Sequence, residues 1–144
     1  MDPGSDVETS RRRAITTSWV VTATGVLHLG LGAVAFWEPL TAMAAAGVWN
    51  SLGGEADRQA ALWYAVGGGS LLSTGLSARW AVMRTGLLPP PLGWGLVAIA
   101  IVGAVVAPRS GFWLVLVEGV ALAAFARRLT AGSRSDEVSR AAVH

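Results

Sequence analysis

Two ionisable residues interrupt long apolar runs of this chain, His28 and Glu118. Such residues are expensive in hydrocarbon. They usually face the interior of a helix bundle, find a partner there and mark function. An imidazole and a carboxyl group at one depth can share a proton. Burial favours the neutral carboxylic acid, which donates a proton, and a neighbouring histidine then acts as base or orienting partner. The sequence puts the two at similar depths. His28 stands nine positions before Trp37, at the outer end of one apolar run, and Glu118 follows the outer end of another by about eight. At 1.5 Å of rise per residue, both lie roughly 12–14 Å below the outer surface.

Polar and small residues recur at helical spacing around the pair. Thr17, Thr24, His28, Gly32 and Ala35 share one face by i,i+4 and i,i+7 steps, and Trp63, Gly67, Ser70 and Thr74 share another. The expected site is a polar pocket in the outer half of a bundle. Glu118 and His28 carry its chemistry, Thr24, Trp63, Ser70 and Thr74 line it, and Glu38, Trp49, Asn50 and Arg109 stand around its mouth. Other chemistries lack their signatures. One internal histidine and one glutamate are too few ligands for zinc, and no cofactor is expected. Gly67-Gly68-Gly69-Ser70 lies in an apolar run without lysine, unlike a phosphate-binding loop. Ser70, His28 and Glu118 have the residue types of a hydrolytic triad but no nucleophile-elbow pattern. Without cysteine there are no disulfides and no thiolate nucleophiles.

The elements that position these residues follow from four apolar runs, 14–37, 60–82, 87–107 and 111–126. A membrane-spanning helix needs about 20 predominantly apolar residues. The first three runs satisfy this, and snorkelling Arg127 and Arg128 extend the fourth. The expected fold is all-α: a bundle of four transmembrane helices over 14–126, with a disordered tail at 1–13 and a polar tail at 127–144. Pro89, Pro90 and Pro91 suit the start of the third helix. Pro108 stops that helix and Ser110 caps the next. Between the first two helices, Glu38-Pro39 opens a short interfacial helix over 40–46 that Gly47 closes. Leu40, Met43 and Trp49 would dip from it into the outer headgroup layer. The first run is too long for the apolar part of a signal peptide. Ser10-Arg11-Arg12-Arg13 reads as an orientation signal rather than a twin-arginine export signal.

Composition agrees with a lipid-facing surface. The chain is 53% hydrophobic and 14% charged, against about 25% charged in soluble domains. All eleven basic residues are arginine, which with abundant Ala, Gly and Val points to a high-GC bacterial genome. The net charge of +2 is too small for a nucleic-acid footprint. Arg11–Arg13, Arg79, Arg84, Arg127, Arg128 and Arg134 flank one side of the spans, so both termini and the middle loop are expected in the cytoplasm of a multi-pass cell-membrane protein. Within lipid, small residues let helices approach closely. The stripe Ala61, Ala65, Gly69, Ser73 and Ser77 is the expected closest contact, which makes Gly69 more sensitive to a large side chain than Gly103. Most tryptophans form an interfacial belt, with Trp49 and Trp63 assigned to the site instead.

Several strings occur together in a fixed order: Gly47-Val48-Trp49-Asn50, Leu62-Trp63-Tyr64, Leu92-Gly93-Trp94-Gly95 and Pro108-Arg109-Ser110-Gly111-Phe112-Trp113-Leu114. With a histidine in the first helix, this pattern resembles an uncharacterised, actinobacterial-type family of four-helix integral membrane proteins of unknown function, over residues 18–125. The resemblance implies the four-helix fold and no activity. Two functional classes stay open. In the first, the pocket takes a small lipophilic molecule from the bilayer. Glu118 acts as general acid in isomerisation or cyclisation of an isoprenoid-like substrate. The alternative is a small proton-coupled exporter working as a homo-oligomer, or a non-catalytic accessory protein. Small multidrug exporters are superficially similar, but they carry their glutamate in the first helix and here it is in the fourth.

Overall fold

Prolines and glycines decide where the helices begin and end. The computed structural model describes residues 3–141, and every regular element among them is an α-helix: α1 (Pro3–Ala35), α2 (Trp37–Ala45), α3 (Ala56–Thr85), α4 (Pro90–Val106) and α5 (Phe112–Ala141). Pro89 is extended, with φ −63° and ψ 120°, and α4 starts on the next proline, where a missing N–H costs nothing. Its last helical residue is followed by Ala107, which the ring of Pro108 keeps out of the helical region. Ser110 Oγ then accepts the Phe112 N–H at 3.4 Å at the start of α5. The short helix α2 closes on Gly47 at φ +88°. There the Gly47 N–H donates to the Ala44 carbonyl and the Val48 N–H to the Met43 carbonyl. These two bonds are the paired closure of a left-handed glycine cap.

The helices run beyond the apolar runs at both ends of the chain. α1 begins at Pro3 and α5 continues to Ala141, where the sequence alone suggests polar tails. Arg12 Nε donates to Glu8 Oε1 at 2.9 Å one turn away, a pairing that favours helix. Val7 of α1 lies against Gly132 of α5, where a Cβ would come within 2.7 Å of Val7 Cγ2. Of the described helices, α1 holds a stretch, Ser5–Ala35, long and apolar enough to cross a membrane, and Pro90–Val106 is apolar but shorter. Glycine, serine and threonine dilute α3, and Glu118, Arg127 and Arg128 charge α5. Four crossings are therefore not given by helix length and composition.

The chain forms two compact units, residues 1–21 with 74–144, and residues 22–73. In the first, α4 packs along α5. A Cβ on Gly93 would lie 2.5 Å from the Ala123 backbone nitrogen and 2.9 Å from the Gly119 carbonyl oxygen. In the second, a Cβ on Gly25 would lie 2.5 Å from the Leu72 backbone nitrogen and 3.0 Å from the Gly68 carbonyl oxygen. In each unit two helix backbones thus close over glycine.

The stripe expected to make that contact does not make it. Ala65, Ser73 and Ser77 are exposed, and a Cβ on Gly69 meets nothing within 4 Å. The buried positions of α3 include Ala61, Gly68, Leu71, Gly75, Ala78 and Val82, a seven-residue rhythm that shares only Ala61 with the stripe. Gly103, expected to be the tolerant position, faces the ring of Phe112. A side chain added at Gly103 therefore meets a ring, where one added at Gly69 meets open space.

Candidate functional site

In the second unit the site is built on a line of i,i+4 positions, His28, Gly32 and Phe36, running up α1 and just past its end. Gly32, the middle member, has no side chain. Tyr64 of α3 fills the gap, so close that a Cβ on Gly32 would collide with its ring. The tyrosine ring stacks on the His28 imidazole with centroids 3.8 Å apart and planes 9° from parallel. Phe36 meets the same ring at 5.4 Å, tilted by 52°. His28 also lies against the backbone of α3, its Cδ2 3.1 Å from a Cβ built on Gly68 and its Nε2 3.6 Å from one on Gly67. Three rings in sequence around one missing side chain hold the imidazole in a fixed plane.

Several expected lining residues face elsewhere. α3 meets His28 through Tyr64, Gly67 and Gly68, whereas Trp63 and Ser70 lie on its exposed face. Thr24 is half-buried on α1, and Glu38 is exposed at the start of α2. Trp49 and Asn50 belong to the turn after α2 and are exposed, Trp49 to 92%. That turn is held tightly. The Trp49 N–H donates to the Gly47 carbonyl at 2.7 Å across Val48, whose φ is +64°, and Asn50 follows at φ +54°. Ser51 is buried beneath, and Arg58 Nη1 donates to its carbonyl at 2.6 Å.

The first unit holds Glu118, Thr74 and Arg109. Glu118 is only 3% exposed. It sits in the buried stripe of α5 formed by Val115, Glu118, Gly119, Leu122, Ala126 and Leu129. At the adjoining Gly119 α4 also lies close: a Cβ there would be 2.9 Å from the Val97 nitrogen. Thr74 is half-buried on α3, and Arg109 is exposed in the α4–α5 turn. His28 and Glu118 therefore fall in different units. Among the described residues, no three histidine, aspartate or glutamate side chains gather as metal ligands would.

A family of unknown function, DUF6463, matches the chain over residues 12–129. The chain belongs to that family. The DUF6463 region encloses residues 18–125, where the sequence pattern resembles a family of unknown function, and holds His28, Tyr64 and Glu118 together. No curated protein and no solved structure matches the chain.

Proposed function

We propose that this DUF6463 chain is a four-pass protein of the cell membrane with both termini in the cytoplasm. Its buried Glu118 serves as the acid toward a small lipophilic molecule. One observation carries the reading: large apolar side chains cover the outside of the helices while a carboxyl group is buried. Buried positions include Ser18, Thr22 and Glu118, while Leu31, Val34, Leu76, Ile101, Val102, Val105, Val106 and Val117 are exposed. A water-soluble protein buries its branched aliphatic residues and exposes its carboxylates. An apolar exterior over a buried carboxyl group suits helices in lipid, where a polar group turns inward and apolar ones meet acyl chains. The exposed aliphatics occur on α1, α3, α4 and α5 alike, which supports four crossings rather than one. All seven tryptophans are also exposed, as residues of an interfacial belt are.

A carboxyl group retained in such an interior is expensive, and the expense is explained if the group exchanges a proton with a substrate that arrives from the bilayer. Glu118→Gln keeps the shape and a hydrogen-bonding amide but removes the proton. It should fold as the wild type does and abolish any change that the wild-type chain makes in the extractable lipophilic molecules of its host membrane. Mass spectrometry of lipid extracts, with and without expression, reads this. A Glu118→Gln variant that alters the extract as the wild type does would refute the acid.

A further inference from the structure

We propose that the first unit binds the phosphate groups of anionic phospholipids through two arginine–tryptophan cation–π pairs. The inference rests on the four-pass reading. Arg79 of α3 lies over Trp19 of α1, its guanidinium carbon 4.8 Å from the ring centroid. Arg127 of α5 lies over Trp94 of α4 at 5.3 Å. All four residues belong to the first unit, and each pair is built alike, with the indole from one helix and the cation from another. A guanidinium held over an indole face still offers the two Nη groups at its far edge to an oxyanion. Phosphate is an oxyanion that such a fork takes through two parallel hydrogen bonds.

Among the described residues, no carboxylate forms an ion pair with either arginine. The ion pairs seen there are Arg12 with Glu8 and Arg58 with Glu55. Arg79 is half-buried, and its Nε is closed off without a hydrogen-bond partner. Arg84 and Arg128, both exposed, add charge on the same two helices. A dissolved phosphate carries the same chemistry. However, indoles prefer the headgroup level of a bilayer, and only a lipid holds its phosphate at that level by its own acyl chains.

The test uses the full chain in phosphatidylcholine bilayers containing a minority of phosphatidylglycerol, with spin-labelled versions of each lipid. Electron spin resonance then gives the preference for one over the other. The wild type should prefer phosphatidylglycerol, and Arg79→Gln and Arg127→Gln should each lower the preference about fivefold, the factor that one basic residue is worth beside an anionic leaflet. Arg79→Lys and Arg127→Lys keep the charge but lose the guanidinium fork, and should restore only part of it. Added inorganic phosphate should leave the preference unchanged. Equal association of both lipids with the wild type overturns the proposal. Full restoration by lysine overturns the guanidinium fork, and displacement by inorganic phosphate overturns the lipid as occupant. Resistance of the chain to carbonate extraction, measured on the same membranes, tests separately the membrane insertion that the four-pass reading requires.

Discussion

Replacing Gly93 by alanine should destabilise the protein, and the same change at Gly69 should not. At Gly93 the new methyl carbon would sit 2.5 Å from the Ala123 nitrogen, against a lower bound of 3.4 Å for ordinary contact. The shortfall is 3.4 − 2.5 = 0.9 Å, and it falls on backbone atoms that have no rotamer to change. α4 and α5 must move apart by about that much or the backbone must bend. Overpacking of this kind costs about 1–3 kcal/mol. Against it stands the gain that alanine brings to a helix interior, about 0.5–1 kcal/mol. Gly69 meets nothing within 4 Å, so Gly69→Ala collects that gain without strain. The gain cancels in the comparison, which leaves a difference of about 1–3 kcal/mol between the two variants from overpacking alone. Thermal unfolding in detergent should separate their midpoints by several degrees, Gly69→Ala above the wild type and Gly93→Ala below it. Equal midpoints would show that α4 and α5 are not closed over Gly93.

Val48 is a β-branched residue at φ +64°, a conformation that costs about 1–2 kcal/mol for a residue with a Cβ. Val48→Gly should raise the unfolding free energy by about 1 kcal/mol, and an unchanged or lower value would show that Val48 makes contacts worth the strain. The absence of native cysteine lets single cysteines report topology. A cysteine at Gly54 should react with a membrane-impermeant maleimide added outside intact cells, and cysteines at Gly86 or Ser133 only after lysis. Labelling of Ser133→Cys in intact cells would refute cytoplasmic termini.

Much of the fold is legible in the sequence because chain breaks are local chemistry. Pro89 to Pro91, Pro108, Ser110 and Gly47 act within their own turns, and the structure places helix ends at each of them. The packing face of α3 is not legible in the same way. Its residues are small on several sides, so a stripe at spacing four is no more apolar or compact than its neighbours. The choice is made by long-range fit, where Gly25 lets α3 approach at Gly68 and Leu72. The ends of α1 and α5 are missed for a related reason. Residues 3–13 have no apolar periodicity of their own, and it is the seat at Gly132 that gives Val7 a partner.

The candidate site divides along the same line. His28 and Glu118 stand out because a titratable group in an apolar run is visible without knowing the fold, and Glu118 is indeed among the most deeply buried polar residues described. Their neighbours depend on helix rotation, which here is set by side chains that are missing. Gly32 removes one ring-sized obstacle between His28 and Phe36, and Tyr64 enters through it. Reading Gly32 as a polar-face residue overlooks that it is a vacancy with a counterpart elsewhere in the sequence. The usable signal was the pairing of a glycine one turn after His28 with an aromatic one turn before Gly68. Trp63, one position earlier, is rotated by about 100° around the helix and ends 69% exposed. In helices made of alanine and glycine, a one-residue step therefore separates the ring that touches the histidine from the ring that faces outward. The chemistry of such a site must be argued from the gaps as much as from the polar residues.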